Sequence, residues 1–202
     1  MVIPKKINLG SGKDYRRDYL NIDINDYWSP DIVADISGVF LQNGSRTFTT
    51  KRFGDVTVAN DSFDEIIATD VLEHVADLVT TMTNCLNLLR TGGVFNILVP
   101  YDLSYGAWQD PTHVRAFNER SWLYYTDWFW YLGWTTHRFN VRSLEFMFSP
   151  IGQAMAGAGQ PNDLILRTPR TVDSMKVSLE KIVLSDQDLR ALREFNRTRR
   201  AG

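Results

Sequence analysis

Residues 63–74 read FDEIIATDVLEH, and this stretch decides the fold. Its first half is a short apolar run, which predicts a buried strand over residues 65–69. Apolar residues then recur at steps of three and four, which predicts a helix over residues 71–90. Gly92 and Gly93 follow, and glycine is typical of the left-handed residue that ends a helix. The stretch is one strand–helix step of an α/β fold.

The rest of the chain extends this alternation of strands and helices. Further candidate strands occupy residues 5–9, 19–22, 32–34, 94–99, 137–148 and 174–184. Short apolar runs separated by turn and helix signals predict a mostly parallel sheet. The run VFNILV at residues 94–99 is almost wholly apolar, as expected for a strand covered on both faces. Ser185 is expected to cap a final helix.

Two segments depart from the alternation. Residues 37–62 form a long insertion, for which we expect a short helix or a hairpin. Residues 121–134 are rich in tryptophan and tyrosine. We interpret this aromatic segment as core and pocket wall, and a lid or an oligomer interface are the alternatives. Neither segment resembles a linker, so we predict a single domain over residues 1–202.

Composition narrows the class of protein. The 202 residues carry a formal charge of −2, which does not favour electrostatic capture of nucleic acid. One cysteine, Cys85, excludes an intramolecular disulfide framework and fits a reducing compartment. No signal peptide and no apolar run of about 18 residues is evident, so we expect a cytoplasmic protein without a membrane span. The cysteine and histidine spacing predicts no metal site.

Residues suited to an adenosine ligand follow three predicted strands. The first strand runs into Gly10-Ser11-Gly12, where glycine lets backbone N–H groups approach a ligand. The second ends at Asp23, placed to accept hydrogen bonds from two ribose hydroxyls. The third ends at Asp35-Ile36, which offers a carboxylate to an adenine amino group and an apolar side chain to its ring. The carboxyl ends of adjacent strands form the usual ligand edge of an open α/β sheet.

Together these residues resemble the class I S-adenosylmethionine-dependent methyltransferases, in particular a bacterial branch with FDEI…VLEH and D-P-x-H elements. The resemblance covers roughly residues 5–125 and includes Leu-Arg-Thr-Gly-Gly at residues 89–93. It implies a Rossmann-like seven-stranded sheet, mostly parallel with an antiparallel last strand. It also implies S-adenosylmethionine as cofactor and S-adenosylhomocysteine as product. The cofactor residues that it implies are Gly10, Ser11, Gly12, Asp23, Asp35, Ile36, Thr69, Asp70 and Val71.

The chain also departs from the family pattern. Asn8 stands where the family often has an acid, and Asp14 where many members have a third glycine. The span from Gly12 to Asp23 is short, so we expect the first helix to be reduced or replaced by a loop. A nicotinamide dehydrogenase needs a glycine turn that opens a full helix, with an acid about 20 residues on. This alternative is therefore disfavoured.

Methyl transfer to a hydroxyl requires removal of a proton, and histidine has a suitable pKa near ~6.5. Of the three histidines, His113 is the first candidate for the catalytic base and His74 the second. Asp110, Arg115 and Trp108 are candidates for binding the acceptor. The alternative is a structural role, in which these residues pin the loop over the cofactor by hydrogen bonds.

We predict methyl transfer to an oxygen of a small-molecule or carbohydrate-like acceptor, and the carbohydrate part rests on analogy. One alternative is a nucleic-acid or protein methyltransferase. The Asn/Asp-Pro-Pro-Tyr/Phe motif of amino methyltransferases is absent, because residues 70–73 read DVLE in its place. The other alternative is a non-catalytic binding module that keeps the fold.

Overall fold

The structure is a computed structural model that describes residues 3–201. These residues form nine strands: β1 (Lys6–Leu9), β2 (Leu20–Asp23), β3 (Ile32–Val33), β4 (Ser45–Thr50), β5 (Gly54–Ala59), β6 (Phe63–Thr69), β7 (Leu89–Pro100), β8 (His137–Phe148) and β9 (Val172–Val183). The α-helices are α1 (Leu78–Leu88), α2 (Gly106–Gln109), α3 (Pro150–Gly157), α4 (Asn162–Arg167) and α5 (Asp186–Ala201). No helix of the described part of the chain combines the length and apolar character needed to cross a membrane.

Seven strands form one sheet in the order β3-β2-β1-β6-β7-β9-β8. The first five of these pair in parallel, and β9 is antiparallel to both of its neighbours. This confirms the mostly parallel, seven-stranded sheet with an antiparallel last strand. Because the parallel strands run in one direction, the loops that follow β1, β2, β3 and β6 meet at one edge of the sheet.

The two faces of β7 are covered unequally. Phe95, Ile97 and Val99 are buried, whereas the alternating residues Val94, Asn96 and Leu98 are only half-buried. The prediction of a strand covered on both faces is therefore wrong. The apolar run misled because two of its half-buried residues are themselves apolar.

A row of polar contacts crosses the less covered face, and we call it the polar ladder. Lys6 Nζ on β1 lies 3.0 Å from Glu65 Oε2 on β6. The Asn96 amide on β7 donates to Glu65 Oε1 at 2.9 Å, and Ser178 Oγ on β9 donates to Asn96 Oδ1 at 2.8 Å. The ladder joins four neighbouring strands through side chains alone.

The helix predicted over residues 71–90 is shorter, and residues 71–77 form a loop instead. Asp70 leaves β6 with a left-handed backbone, φ 53°, which turns the chain away from a helical path. Helix α1 begins only after Asp77, whose Oδ1 accepts from Thr80 N at 2.9 Å. It ends at Leu88, directly before β7. Gly92, with φ 79°, lies within β7, so the glycine pair does not end the helix.

The structures of the insertion (residues 37–62) and of the connection between β1 and β2 agree with what the sequence predicts. Residues 37–62 contain the antiparallel hairpin β4–β5, with Val56 and Val58 fully buried. No helix lies between β1 and β2, as expected from the short span. Asn8 holds this connection, because its amide donates to Asp14 O at 2.6 Å and to Asn21 Oδ1 at 3.0 Å. The departure at position 8 thus supports a loop that replaces the helix.

The aromatic segment, residues 121–134, is divided between core and surface. Its buried members are Trp122, Tyr125, Phe129 and Trp134, and its exposed members are Tyr124, Trp128 and Tyr131. Phe195 of α5 packs on the Trp130 ring at 4.5 Å between centroids. Ser185 caps α5 as predicted, since its Oγ accepts from Asp188 N at 3.2 Å.

Candidate cofactor and acceptor site

A cavity of about 330 Å³ opens at the edge where β1, β2, β3 and β6 end. Its lining includes these predicted cofactor residues: Gly10, Asp23, Asp35, Ile36, Asp70 and Val71. His74 also lines it. Ser11 and Gly12 are not part of this lining, and Thr69 lies elsewhere, in a groove with Asn96 and Leu98. Residues that are far apart in the sequence thus meet at the predicted edge of the sheet.

The glycine turn is tied to the end of β2. Gly10 and Gly12 have left-handed backbones, with φ 60° and 44°. Val71 packs so closely on Gly10 that a Cβ there would overlap its methyl groups. Ser11 N donates to Ile22 O at 3.2 Å, and the side-chain oxygen of Ser11 is buried. The sharp turn therefore requires glycine at position 10.

The carboxylate of Asp23 is held by two backbone donors. Gly12 N donates to Oδ2 and Asn25 N donates to Oδ1, both at 2.8 Å. Each oxygen keeps a further lone pair for a ligand. Because the carboxylate is already fixed, it can accept hydrogen bonds from two neighbouring hydroxyls with little further loss of side-chain entropy on binding.

The loop after β3 presents Asp35 and Ile36 to the cavity. Asp35 Oδ1 accepts from Ser37 N at 2.8 Å and from Ser37 Oγ at 2.7 Å, which leaves its second oxygen for a ligand. Asn84 of α1 fixes this loop by donating to Ile36 O at 2.8 Å and to Gly38 O at 2.9 Å. Sequence reasoning assigned no role to Asn84, because only the fold brings α1 to this loop.

The cavity lining is acidic. It holds the carboxylates of Asp23, Asp35 and Asp70 and, among the described residues, no lysine or arginine. Burial raises the pKa of Asp70, and the nearby His113 and His74 oppose this shift. Such a lining favours a ligand that brings hydroxyl and amino donors or positive charge. A pyrophosphate would find no cationic partner there.

Nearly half of the chain is similar to a known protein family. Residues 7–97 match the family model of a methyltransferase domain. Residues 7–97 are thus similar to a methyltransferase domain, and the seven-stranded sheet is the Rossmann-like fold of class I methyltransferases. This domain implies S-adenosylmethionine as the cofactor. Comparison with curated proteins finds no match.

Solved structures share the fold of this chain. One is an S-adenosylmethionine-dependent methyltransferase from Archaeoglobus fulgidus, at 13% identity and TM-score 0.56, with 88% of this chain and 86% of that chain covered. Another comes from Mesorhizobium loti, at 15% identity and TM-score 0.52, with 87% and 89% covered. At these identities the likeness shows the fold alone.

The cavity residues fit this cofactor. S-adenosylmethionine offers two ribose hydroxyls, an adenine amino group, an ammonium group and a positively charged sulfonium. The fixed Asp23 carboxylate and the free oxygen of Asp35 are acceptors suited to the hydroxyls and the amino group. The acidic lining matches the positive charges, and the open space beside Gly12 leaves room for close approach to the backbone.

His74 and His113 come together beside this cavity. Their rings meet edge to face, with 4.5 Å between centroids. His74 Nδ1 lies 2.9 Å from Thr112 Oγ1, which donates its own proton to Asp110 Oδ1 at 2.7 Å. The threonine oxygen is therefore the acceptor for His74 Nδ1–H, and this network assigns the free lone pair of His74 to Nε2.

His113 is oriented in the same way but lies deeper. Its Nδ1 is 3.0 Å from the carbonyl oxygen of Ala107, which can only accept, so Nδ1 carries the proton. Its Nε2 then holds a lone pair 4.0 Å from Glu73 Oε1. The Glu73 side chain is 1% exposed, and burial raises its pKa to about 7. Sequence reasoning quoted Glu73 within a motif but assigned it no role.

The positions of Arg115 and Trp108 do not match the prediction that these residues bind the acceptor. Arg115 donates to Leu72 O at 2.9 Å, to Ala76 O at 3.1 Å and to Val75 O, so it braces the loop over residues 71–77. These contacts favour the structural alternative for Arg115. Trp108 lies in a neighbouring groove with Tyr105 and Arg170, outside the cofactor cavity. Asp110 reaches the histidine pair through Thr112.

Proposed function

We propose that this protein is a methyltransferase that transfers the methyl group of S-adenosylmethionine to an oxygen of a small-molecule or carbohydrate-like acceptor. The observation that carries the proposal is the acidic cavity with His74 in its wall and His113 behind it. The bound cofactor supplies an electrophilic methyl group on a sulfonium. The protein has to bind the cofactor, align the acceptor and remove a proton.

Cofactor binding is assigned to the three strand ends. Asp23 accepts hydrogen bonds from the ribose, and Asp35 with Ile36 holds the adenine. The Gly10–Gly12 turn admits the methionine part, whose ammonium group lies in the acidic part of the cavity. Asp70 and Val71 border the sulfonium.

Proton removal is assigned to the His74–His113 pair. Both rings are held by their Nδ1–H groups, so each presents a basic Nε2. His74 is exposed and lines the cavity, and we assign it the acceptor side of the pair. A neutral acceptor hydroxyl needs such a base, whereas a thiolate or a carboxylate does not.

The activity test measures release of S-adenosylhomocysteine from S-adenosylmethionine in the presence of a panel of sugars, small alcohols, amines, peptides and nucleic acids. Turnover with a hydroxyl acceptor supports the proposal. Turnover only with peptide or nucleic acid would contradict the acceptor class. Tight binding of S-adenosylhomocysteine with no turnover on any acceptor would favour a non-catalytic binding module.

His74→Ala is expected to lower kcat by roughly 100- to 10,000-fold, the usual contribution of a general base. The dissociation constant for S-adenosylhomocysteine should stay within a few-fold of wild type, because Asp23 and the glycine turn are untouched. The matched control is His137→Ala, since His137 lies on β8, away from the pair. Full activity in His74→Ala would remove this histidine from proton transfer.

A further inference from the structure

We propose that Glu73, His74 and His113 form a binding site for a divalent transition-metal ion of the Zn²⁺ type, beside the cofactor cavity. One ligand-type atom from each of the three lies within 4.8 Å of the others. Glu73 and His74 belong to the loop after β6, and His113 to the loop after β7. The sequence pointed away from a metal because the ligands come together only through the fold.

The two imidazoles are prepared as metal ligands. A histidine that binds a metal through one nitrogen usually donates its other N–H to a carbonyl, a carboxylate or a similar acceptor. His113 does so to Ala107 O, and His74 does so to Thr112, which is itself held by Asp110. Both side chains are thereby locked in the tautomer with a lone pair on Nε2.

The third ligand is a buried carboxylate without a partner. Neither oxygen of Glu73 accepts a hydrogen bond from another residue in the described part of the chain. Buried carboxylates are normally paired, hydrogen-bonded or bound to a metal. Glu73 Oε1 faces the His113 Nε2 lone pair at 4.0 Å, and a cation between these two acceptors would satisfy both.

The surrounding backbone fixes the two loops against each other. Val114 N donates to Glu73 O at 2.9 Å, next to His113 in the chain. Arg115 braces the carbonyls on either side of Glu73 and His74. Asp70 also lies in the same wall of the cavity and adds negative charge. The ligands are therefore presented on a prearranged frame with a charge suited to a dication.

Two histidine nitrogens and one carboxylate oxygen are the ligand set of several catalytic zinc sites and of non-haem iron sites. Three protein ligands leave coordination positions open, and His74 is exposed toward the cavity. This inference rests on the proposed function and deepens it, because His74 and His113 would then act as metal ligands in place of the base that removes the proton. An ion at this position would promote loss of the acceptor's hydroxyl proton to water, as the oxygen–methyl bond forms and the sulfur–methyl bond breaks.

The test uses the full chain without a histidine tag, stripped with a chelator and desalted. Zn²⁺ is titrated by calorimetry, and Co²⁺ is followed by its visible absorption. We expect one ion per chain. Glu73→Gln and His113→Ala should each weaken Zn²⁺ binding by more than about 100-fold, and Thr112→Val by roughly 10- to 100-fold through the ligand that it orients. His137→Ala is the matched control and should bind as wild type.

Binding of S-adenosylhomocysteine and Tm are measured on the same metal-free proteins. Unaltered values show that each variant is folded and separate the metal proposal from the proposed function. A wild-type chain that binds S-adenosylhomocysteine but takes up no Zn²⁺ or Co²⁺ would overturn the metal site alone. So would Zn²⁺ binding that Glu73→Gln and His113→Ala leave unchanged. Loss of S-adenosylhomocysteine binding in the wild type would count against the proposed function instead.

Discussion

Asp23→Ala is expected to remove measurable binding of S-adenosylmethionine while the protein stays folded. The Asp23 carboxylate is the acceptor assigned to both ribose hydroxyls, and hydrogen bonds to a charged group each contribute about 1.5–3 kcal/mol. Losing two of them weakens binding by roughly 3–6 kcal/mol, which is more than about 100-fold. The substitution also frees Gly12 N, so the glycine turn loses one of its two ties to β2 and keeps the Ser11 N–Ile22 O bond.

Calorimetric titration with S-adenosylmethionine and S-adenosylhomocysteine measures this effect. Asp26→Ala is the matched control, because Asp26 begins a short 3-10 helix (Asp26–Trp28) after β2 and its side chain is not part of the cavity lining. An affinity in Asp23→Ala equal to that of the control would refute the ribose assignment. Weak binding of NAD by the wild type is expected in the same experiment, since the cavity lacks a cationic partner for a pyrophosphate.

Gly10→Ala is expected to lower both stability and cofactor affinity. A non-glycine residue at this left-handed position costs about 1–2 kcal/mol. The new methyl group would also overlap the Val71 side chain, and overpacking of this kind costs about 1–3 kcal/mol more. Movement of Val71 would distort the cavity wall, so S-adenosylhomocysteine should bind more weakly.

Gly133→Ala is the control that separates the backbone strain of a left-handed alanine from the overlap of its methyl group with Val71. Gly133 has a similar φ, 75°, but a Cβ there meets nothing within 4 Å. Denaturant unfolding should therefore show the smaller loss in Gly133→Ala. Adding Val71→Ala to Gly10→Ala should recover part of the lost stability and affinity. Equal losses in the two glycine variants, with no recovery, would mean that contact with Val71 is unimportant.

The sheet could be predicted from the sequence because its strands are short apolar runs bounded by turns. The ends of β1 and β2 could be predicted for the same reason, and these ends place Gly10 and Asp23 at the cavity. The loop over residues 71–77 could not be predicted, because Leu72 and Val75 have helical spacing. What keeps this loop out of a helix is the left-handed Asp70 and the bracing by Arg115 from a distant loop.

The same limit applies to the candidate site. Nothing local marks Glu73 as a buried, unpartnered carboxylate, since its burial depends on the loop that carries His113. The position of Thr69 outside the cofactor cavity, by contrast, could have been predicted, because side chains alternate between the two faces of a strand. With Ala68 buried on one face of β6, the next side chain points to the other, where the structure places Thr69.

The polar ladder has a consequence for how the sheet assembles. Side chains alternate between faces, so a slip of one residue between β6 and β7 would carry Glu65 or Asn96 into the core. Such a misaligned intermediate would bury polar groups without their partners, at a cost of several kcal/mol. Only the native alignment connects Lys6, Glu65, Asn96 and Ser178. The polar residues on the less covered face therefore destabilise misregistered folding intermediates, which a uniformly apolar sheet would tolerate.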